Sequence, residues 1–117
     1  MSVVCIGGAS VDRKYSLLSE LQPGTSNPVK ARRNFGGVAR NVAENVARLG
    51  VPVSLFSVIG NDENGVALLE DAERSGIDTN LVLRDSAAVT PEYAAIVSPA
   101  GELIAGLADM RAVETIG

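Results

Sequence analysis

Apolar positions along the chain fall into runs whose spacing changes from segment to segment. Val3–Ile6 is a short run, largely β-branched, that ends at Gly7-Gly8. A continuous apolar run of that length reads as a strand buried on both faces of a parallel sheet. Residues 13–34 break the pattern: they are polar, contain Pro23-Gly24 and Asn27-Pro28, and have no helical period. They predict two short strands, about 14–18 and 29–34, joined by a turn-rich flap. From 38 to 49 the period becomes helical. Val38, Val42, Val46 and Leu49 form one stripe with Ala39, Ala43 and Ala47 beside it. Arg40, Glu44 and Arg48, spaced i, i+4, are expected to pair along the exposed side, and Gly50 to stop the helix.

Further on, 53–59 reads as a strand ended by Gly60, and 63–75 as a second helix with Asp62 as N-cap and Gly76 as stop. A short strand is expected within 77–84, then a hairpin of 93–97 and 102–107 turning at Pro99-Ala100-Gly101. Strand, flap, helix, strand, helix, strands is the order of an α/β protein around a mainly parallel sheet. A further helix pattern begins near Val113, just before the sequence ends at Gly117, which gives the expectation of a truncated domain.

Composition narrows the chemistry. Hydrophobic residues make up 46% of the chain and aromatics 3%, with no Trp, so the core is to be built from Val, Leu, Ile and Ala. A net charge of −4, with Lys30 and Arg32-Arg33 as the single basic cluster, argues against a nucleic-acid surface. The absence of His removes Ser-His-Asp chemistry and most zinc sites, and leaves the lone Cys5 as a buried structural thiol. One cysteine, no basic leader and no apolar stretch of about 20 residues give the expectation of a cytoplasmic protein off the membrane.

Two features carry candidate chemistry. Gly36-Gly37 opens the first helix, where glycines let a ligand approach the backbone and first-turn N–H groups face it; the same pair also suits a plain tight turn. Asn41 lies a turn further on, either as an amide for hydroxyl groups or as an ordinary exposed helical residue. Asp12, expected just past the carboxyl end of the first strand, either accepts hydrogen bonds from a vicinal diol or caps a local turn. Neither G-x-G-x-x-G nor G-x-x-x-x-G-K-[ST] occurs, so a dinucleotide-binding domain is a poor fit.

Gly7-Gly8-Ala9-Ser10-Val11-Asp12, the flap, and Gly36-Gly37-x-x-x-Asn41-x-Ala43-x-x-x-Ala47-x-Leu49-Gly50 resemble the first signature of the PfkB or ribokinase-like carbohydrate kinases. Val58 to Gly65 and Gly76-Ile77-Asp78-Thr79 continue that resemblance in order along nearly the entire chain. Thr25-Ser26-Asn27-Pro28, Ala39-Arg40-Asn41 with Ala43-Glu44-Asn45, and Ala108-Asp109-Met110 are similar to its pseudouridine kinase branch. The resemblance implies the N-terminal part of a three-layer α/β/α fold with a small β-sheet lid, its strands within about 13–34 and 92–107. It implies a substrate site of Asp12, Gly36, Gly37 and Asn41 for a sugar or nucleoside, and puts Ser26 and Asn27 on the lid, where their donors and acceptors either read a uracil edge or, at Asn27-Pro28, merely set a turn. Lys14, Thr90 and Tyr93 are weaker lid candidates. It also implies a homodimer through the lid, and an ATP- and Mg2+-binding part with the general base beyond Gly117. The reading is a kinase acting on the 5′-hydroxyl of pseudouridine; the alternatives are a ribokinase or fructokinase, or a non-catalytic fragment that binds sugar or dimerises.

Overall fold

The structure, a computed structural model, describes residues 2–114; Gly117, where truncation was expected, lies outside them. In chain order the elements are β1 (Val3–Ile6), β2 (Ser10–Leu17), β3 (Val29–Gly36), α1 (Val38–Arg48), β4 (Val53–Gly60), α2 (Glu63–Arg74), β5 (Val82–Asp85), β6 (Glu92–Val97), β7 (Leu103–Asp109) and α3 (Arg111–Glu114). Two sheets result. β1, β4 and β5 form a parallel sheet in the order β1-β4-β5, with Val3 opposite Val53 and Ser57 opposite Val82. A second, mixed sheet has the order β3-β2-β6-β7, with β2 and β6 parallel at its centre. The expected α/β class and small separate sheet are both present.

The β-branched runs go to the parallel sheet because each inward side chain meets a helix. Val53, Leu55 and Ile59 alternate along β4 and join Cys5, Ala39 and Ala43 of α1, and Leu68 and Ala72 of α2, in one core cluster. Both helices therefore cover the same face. Fully burying Leu55 and Ile59, 2% and 0% exposed, contributes roughly 1.5–3 kcal/mol each. Asp62 caps α2 as expected, its carboxylate accepting from Gly65 N at 2.8 Å. Gly50 and Gly76 end the two helices with positive φ of 78° and 85°, conformations that suit glycine.

The faces of α1 differ from the sequence expectation. The buried residues are Ala39, Arg40 and Ala43, whereas Val38 is 81% exposed, Val42 46% and Leu49 79%. Small alanines let the helix lie close to the sheet, and that closeness outweighs the larger apolar stripe. Arg40 makes the expected pair with Glu44, and Arg48 a second one, but Arg40 does so from the interior.

Candidate functional site

The chain leaves β1 at Ile6, turns through Gly7 and Gly8, and re-enters as β2 in the other sheet. Asp12 therefore lies within a strand, not in the turn expected after β1. Its registered neighbours are Asn34 on β3 and Tyr93 on β6. Residues in register share a face of a sheet, so Asn34, Asp12 and Tyr93 form a polar row. Ser10 Oγ, 3% exposed, donates to Asp12 Oδ1 at 2.7 Å and holds the carboxylate.

β3 then delivers the chain to the start of α1 beside this carboxylate. At Gly36 a Cβ would stand 2.2 Å from Asp12 Oδ2, and at Gly37 another would stand 2.3 Å from the Gly8 carbonyl oxygen. Both glycines thus have a structural reason: one admits the Asp12 side chain, the other lets two chain segments cross. Gly37 is also the N-cap, at φ 95°, and among the described residues no side chain caps α1. Such a helix end leaves backbone N–H groups for other partners. Asn41 N donates to Gly37 O at 2.9 Å, and its exposed side chain accepts from Arg40 Nη1 at 3.1 Å.

Asp12, Gly36 and Gly37 thus meet at the junction of the two sheets, and Asn41 stands one helical turn further on, tied to Gly37 through its backbone N–H. Tyr93 and Lys14 share the sheet face of Asp12, Lys14 registered with Arg32. The Tyr93 ring leans across Gly106, where a Cβ would meet its hydroxyl at 2.5 Å. Ser26 and Asn27 are not brought there. The loop joining β2 to β3 lies past Leu17 and Val29, at the opposite end of the hairpin, roughly 17 Å along the strand from Asp12 at about 3.3 Å per residue. Asn27 also spends its amide on the loop itself: it accepts from Gln22 N and donates to Gln22 O and Thr25 O. Ser26 is exposed at that tip.

Thr90 is wholly buried. Its hydroxyl donates to Asp62 Oδ1 at 2.6 Å and accepts from Gly60 N, while its own N–H donates to Asp62 Oδ2. Burial would raise the Asp62 carboxyl pKa, but the hydrogen bonds from Thr90 and Gly65 outweigh it and hold the group below its ordinary value. Thr90 is a latch between β4, α2 and the start of β6, and its side chain does not reach the open face. Sequence reasoning missed Asn34 and Ser10. The signal for them was alternation: each stands two residues from Gly36 or Asp12, on the same face once the strands pair.

The chain has relatives of known kind. Residues 1–114 match the family described as pfkB family carbohydrate kinase. Pseudouridine kinase from Escherichia coli K12 is 34% identical over 109 residues, 93% of this chain and 35% of that enzyme. A solved carbohydrate kinase from Agrobacterium tumefaciens superposes with a TM-score of 0.87 at 34% identity, over 94% of this chain and 36% of that one. A fructokinase from Xylella fastidiosa with bound ATP gives 0.77 at 27% identity, over 94% and 33%. The chain spans about a third of the length of the curated relatives it matches.

Proposed function

The chain belongs to the pfkB family of carbohydrate kinases, and from that premise we propose that these residues form the acceptor side of a kinase that phosphorylates the 5′-hydroxyl of pseudouridine. The observation that carries the reading is the Asp12 carboxylate, held by Ser10, laid over Gly36 and flanked by Asn34 and Tyr93. An ionised carboxylate accepts up to four hydrogen bonds, so one oxygen can serve Ser10 while the other takes a ribose hydroxyl. Asn41 at the open start of α1 holds a second hydroxyl. Lys14, Asn34 and Tyr93 face the base from the lid, and the identity with the Escherichia coli pseudouridine kinase supports that acceptor.

The second sheet acts as the lid. Closing it over the sugar excludes water, so that the phosphoryl group passes to the hydroxyl and not to solvent. Leu103, Ile104 and Leu107 on β7 are 61%, 44% and 60% exposed, which supports a homodimer through this sheet in a cytoplasmic enzyme. The ATP and Mg2+ that the family reading implies, and the general base, are placed on other residues of the complete kinase; neither G-x-G-x-x-G nor G-x-x-x-x-G-K-[ST] occurs in this sequence, which supports that placement.

The test uses the complete kinase that carries these residues, with ATP and a panel of pseudouridine, uridine, ribose and fructose. Turnover of pseudouridine is expected. Turnover of ribose or fructose without pseudouridine would reject the narrow reading and leave a ribokinase or fructokinase. Asp12→Asn is expected to raise the acceptor KM about 10- to 100-fold, since a hydrogen bond to a charged group is worth roughly 1.5–3 kcal/mol. An unchanged acceptor KM would remove Asp12 from the site.

A further inference from the structure

Arg40 is 5% exposed, inside a helix whose other buried residues are alanines. Its Nη1 donates to Glu44 Oε2 at 2.9 Å and to Asn41 Oδ1 at 3.1 Å; its Nη2 donates to Asp71 Oδ2 of α2 at 2.5 Å. Among the described residues its Nε is buried without a partner. Such an arginine is a poor stabiliser. Removing a charge from water is costly, an apolar residue of similar volume is often as stable, and an orphaned donor adds a further penalty. Stability alone therefore gives no account of its presence.

What a guanidinium does here, and an apolar residue would not, is orient the neighbouring amide. Guanidinium carries donors and no acceptor. The amide oxygen of Asn41 must therefore face Arg40, and the Asn41 NH2 group must point away from it. Glu44 from the same helix and Asp71 from α2 grip the guanidinium on other sides, so its plane is fixed. The Asn41 side chain is exposed, and what it offers an approaching ligand is a donor.

We propose that Arg40 is a positioning residue for the acceptor site: it locks the Asn41 amide so that Asn41 donates to a substrate oxygen. A sugar hydroxyl in the site then meets a donor at Asn41 and an acceptor at Asp12. The site selects for an oxygen lone pair at the first position and against an analogue that lacks it. This rests on the reading of Asn41 as a substrate ligand.

The experiment compares acceptor KM, ATP KM, kcat and Tm for the complete kinase and for Asn41→Ala, Asn41→Asp, Arg40→Lys and the Arg40→Lys/Asn41→Ala double variant, with pseudouridine as acceptor. Arg40→Lys keeps a cation for Asp71 and Glu44 but has no planar fork to hold the amide. It is expected to raise acceptor KM about tenfold, the loss of one hydrogen bond, with ATP KM, kcat and Tm little changed. The double variant is expected to match Asn41→Ala alone, because Arg40 acts through Asn41. Asn41→Asp keeps an oxygen for Arg40 but has no N–H, and is expected to lose as much as Asn41→Ala. Additive losses in the double variant, or an acceptor KM unchanged in Arg40→Lys while Asn41→Ala raises it, overturn the inference and leave the site reading standing. A full-affinity Asn41→Asp enzyme overturns the donor assignment even if Arg40→Lys fails to fold. An unchanged KM in Asn41→Ala overturns the reading of Asn41 and the inference with it.

Discussion

Two adjacent glycines answer to different neighbours, and their substitutions should separate accordingly. Gly36→Ala places a methyl against the Asp12 carboxylate; that side chain can shift, so the expected result is a raised acceptor KM with ATP KM and Tm nearly unchanged. Gly37→Ala meets backbone at Gly8 and must hold φ at 95°, a strain on the order of 1–3 kcal/mol before the collision is counted. Its expected result is a Tm several degrees lower in thermal denaturation. The glycine pair was legible in the sequence, as room for a ligand or as a plain tight turn. The approach of Asp12 and of Gly8 comes from strands far apart in sequence. Arg40 was misread for a related reason. Glu44, four residues on, makes it look like a surface pair, and only Asp71, on another helix, reveals that it is buried.

At the scale of elements, the latch of Thr90 on Asp62 joins the start of α2 to the start of β6. Thr90→Val removes the hydroxyl from Asp62 and Gly60 in a fully buried place. Leaving buried polar groups unpaired costs about 1–3 kcal/mol, to be read as a lower urea midpoint. The depressed Asp62 carboxyl fixes the sign of a pH effect. Its contribution to stability is full above the ordinary carboxyl value of 3.8 and is lost as pH falls through the lowered folded value. Asp62→Asn should therefore be less stable at neutral pH and show a flatter acid limb in urea unfolding below about pH 4. The position of most elements was legible, because period and glycine stops are local signals. Which face each element buries was less so. In α1 the valine and alanine stripes are adjacent on the wheel, and only the distance to β4 chooses between them. Asp12 was placed outside a strand because the switch between sheets at Gly7-Gly8 has no local signature beyond the glycines themselves.

The whole molecule is elongated, 52 × 33 × 22 Å with a radius of gyration of 15.9 Å, against roughly 13 Å for a compact chain of this length. The second sheet accounts for this by extending away from the parallel one. Among the described residues β1 has a neighbour in the parallel sheet on one side only, and Val4 and Ile6 are 52% and 66% exposed on it. An unpaired edge beside apolar surface favours association. The 117-residue chain by itself is expected to sediment as a species heavier than its monomer mass, and Ile6→Lys to reduce that species. A sharp monomer boundary for the unsubstituted chain would contradict the expectation.

The parallel pairing of β2 with β6 also dictates an order of assembly. β2 and β3 can meet as soon as they leave the ribosome, but a two-stranded ribbon is marginal in water. Its third strand registers Val11 with Glu92 and Tyr15 with Ile96, and it arrives only after α1, β4, α2 and β5 have been made. Closing so long a loop is slow unless the intervening chain has already folded and brought the ends together. The mixed sheet is thus expected to close only after the parallel sheet and its helices have brought β2 and β6 together.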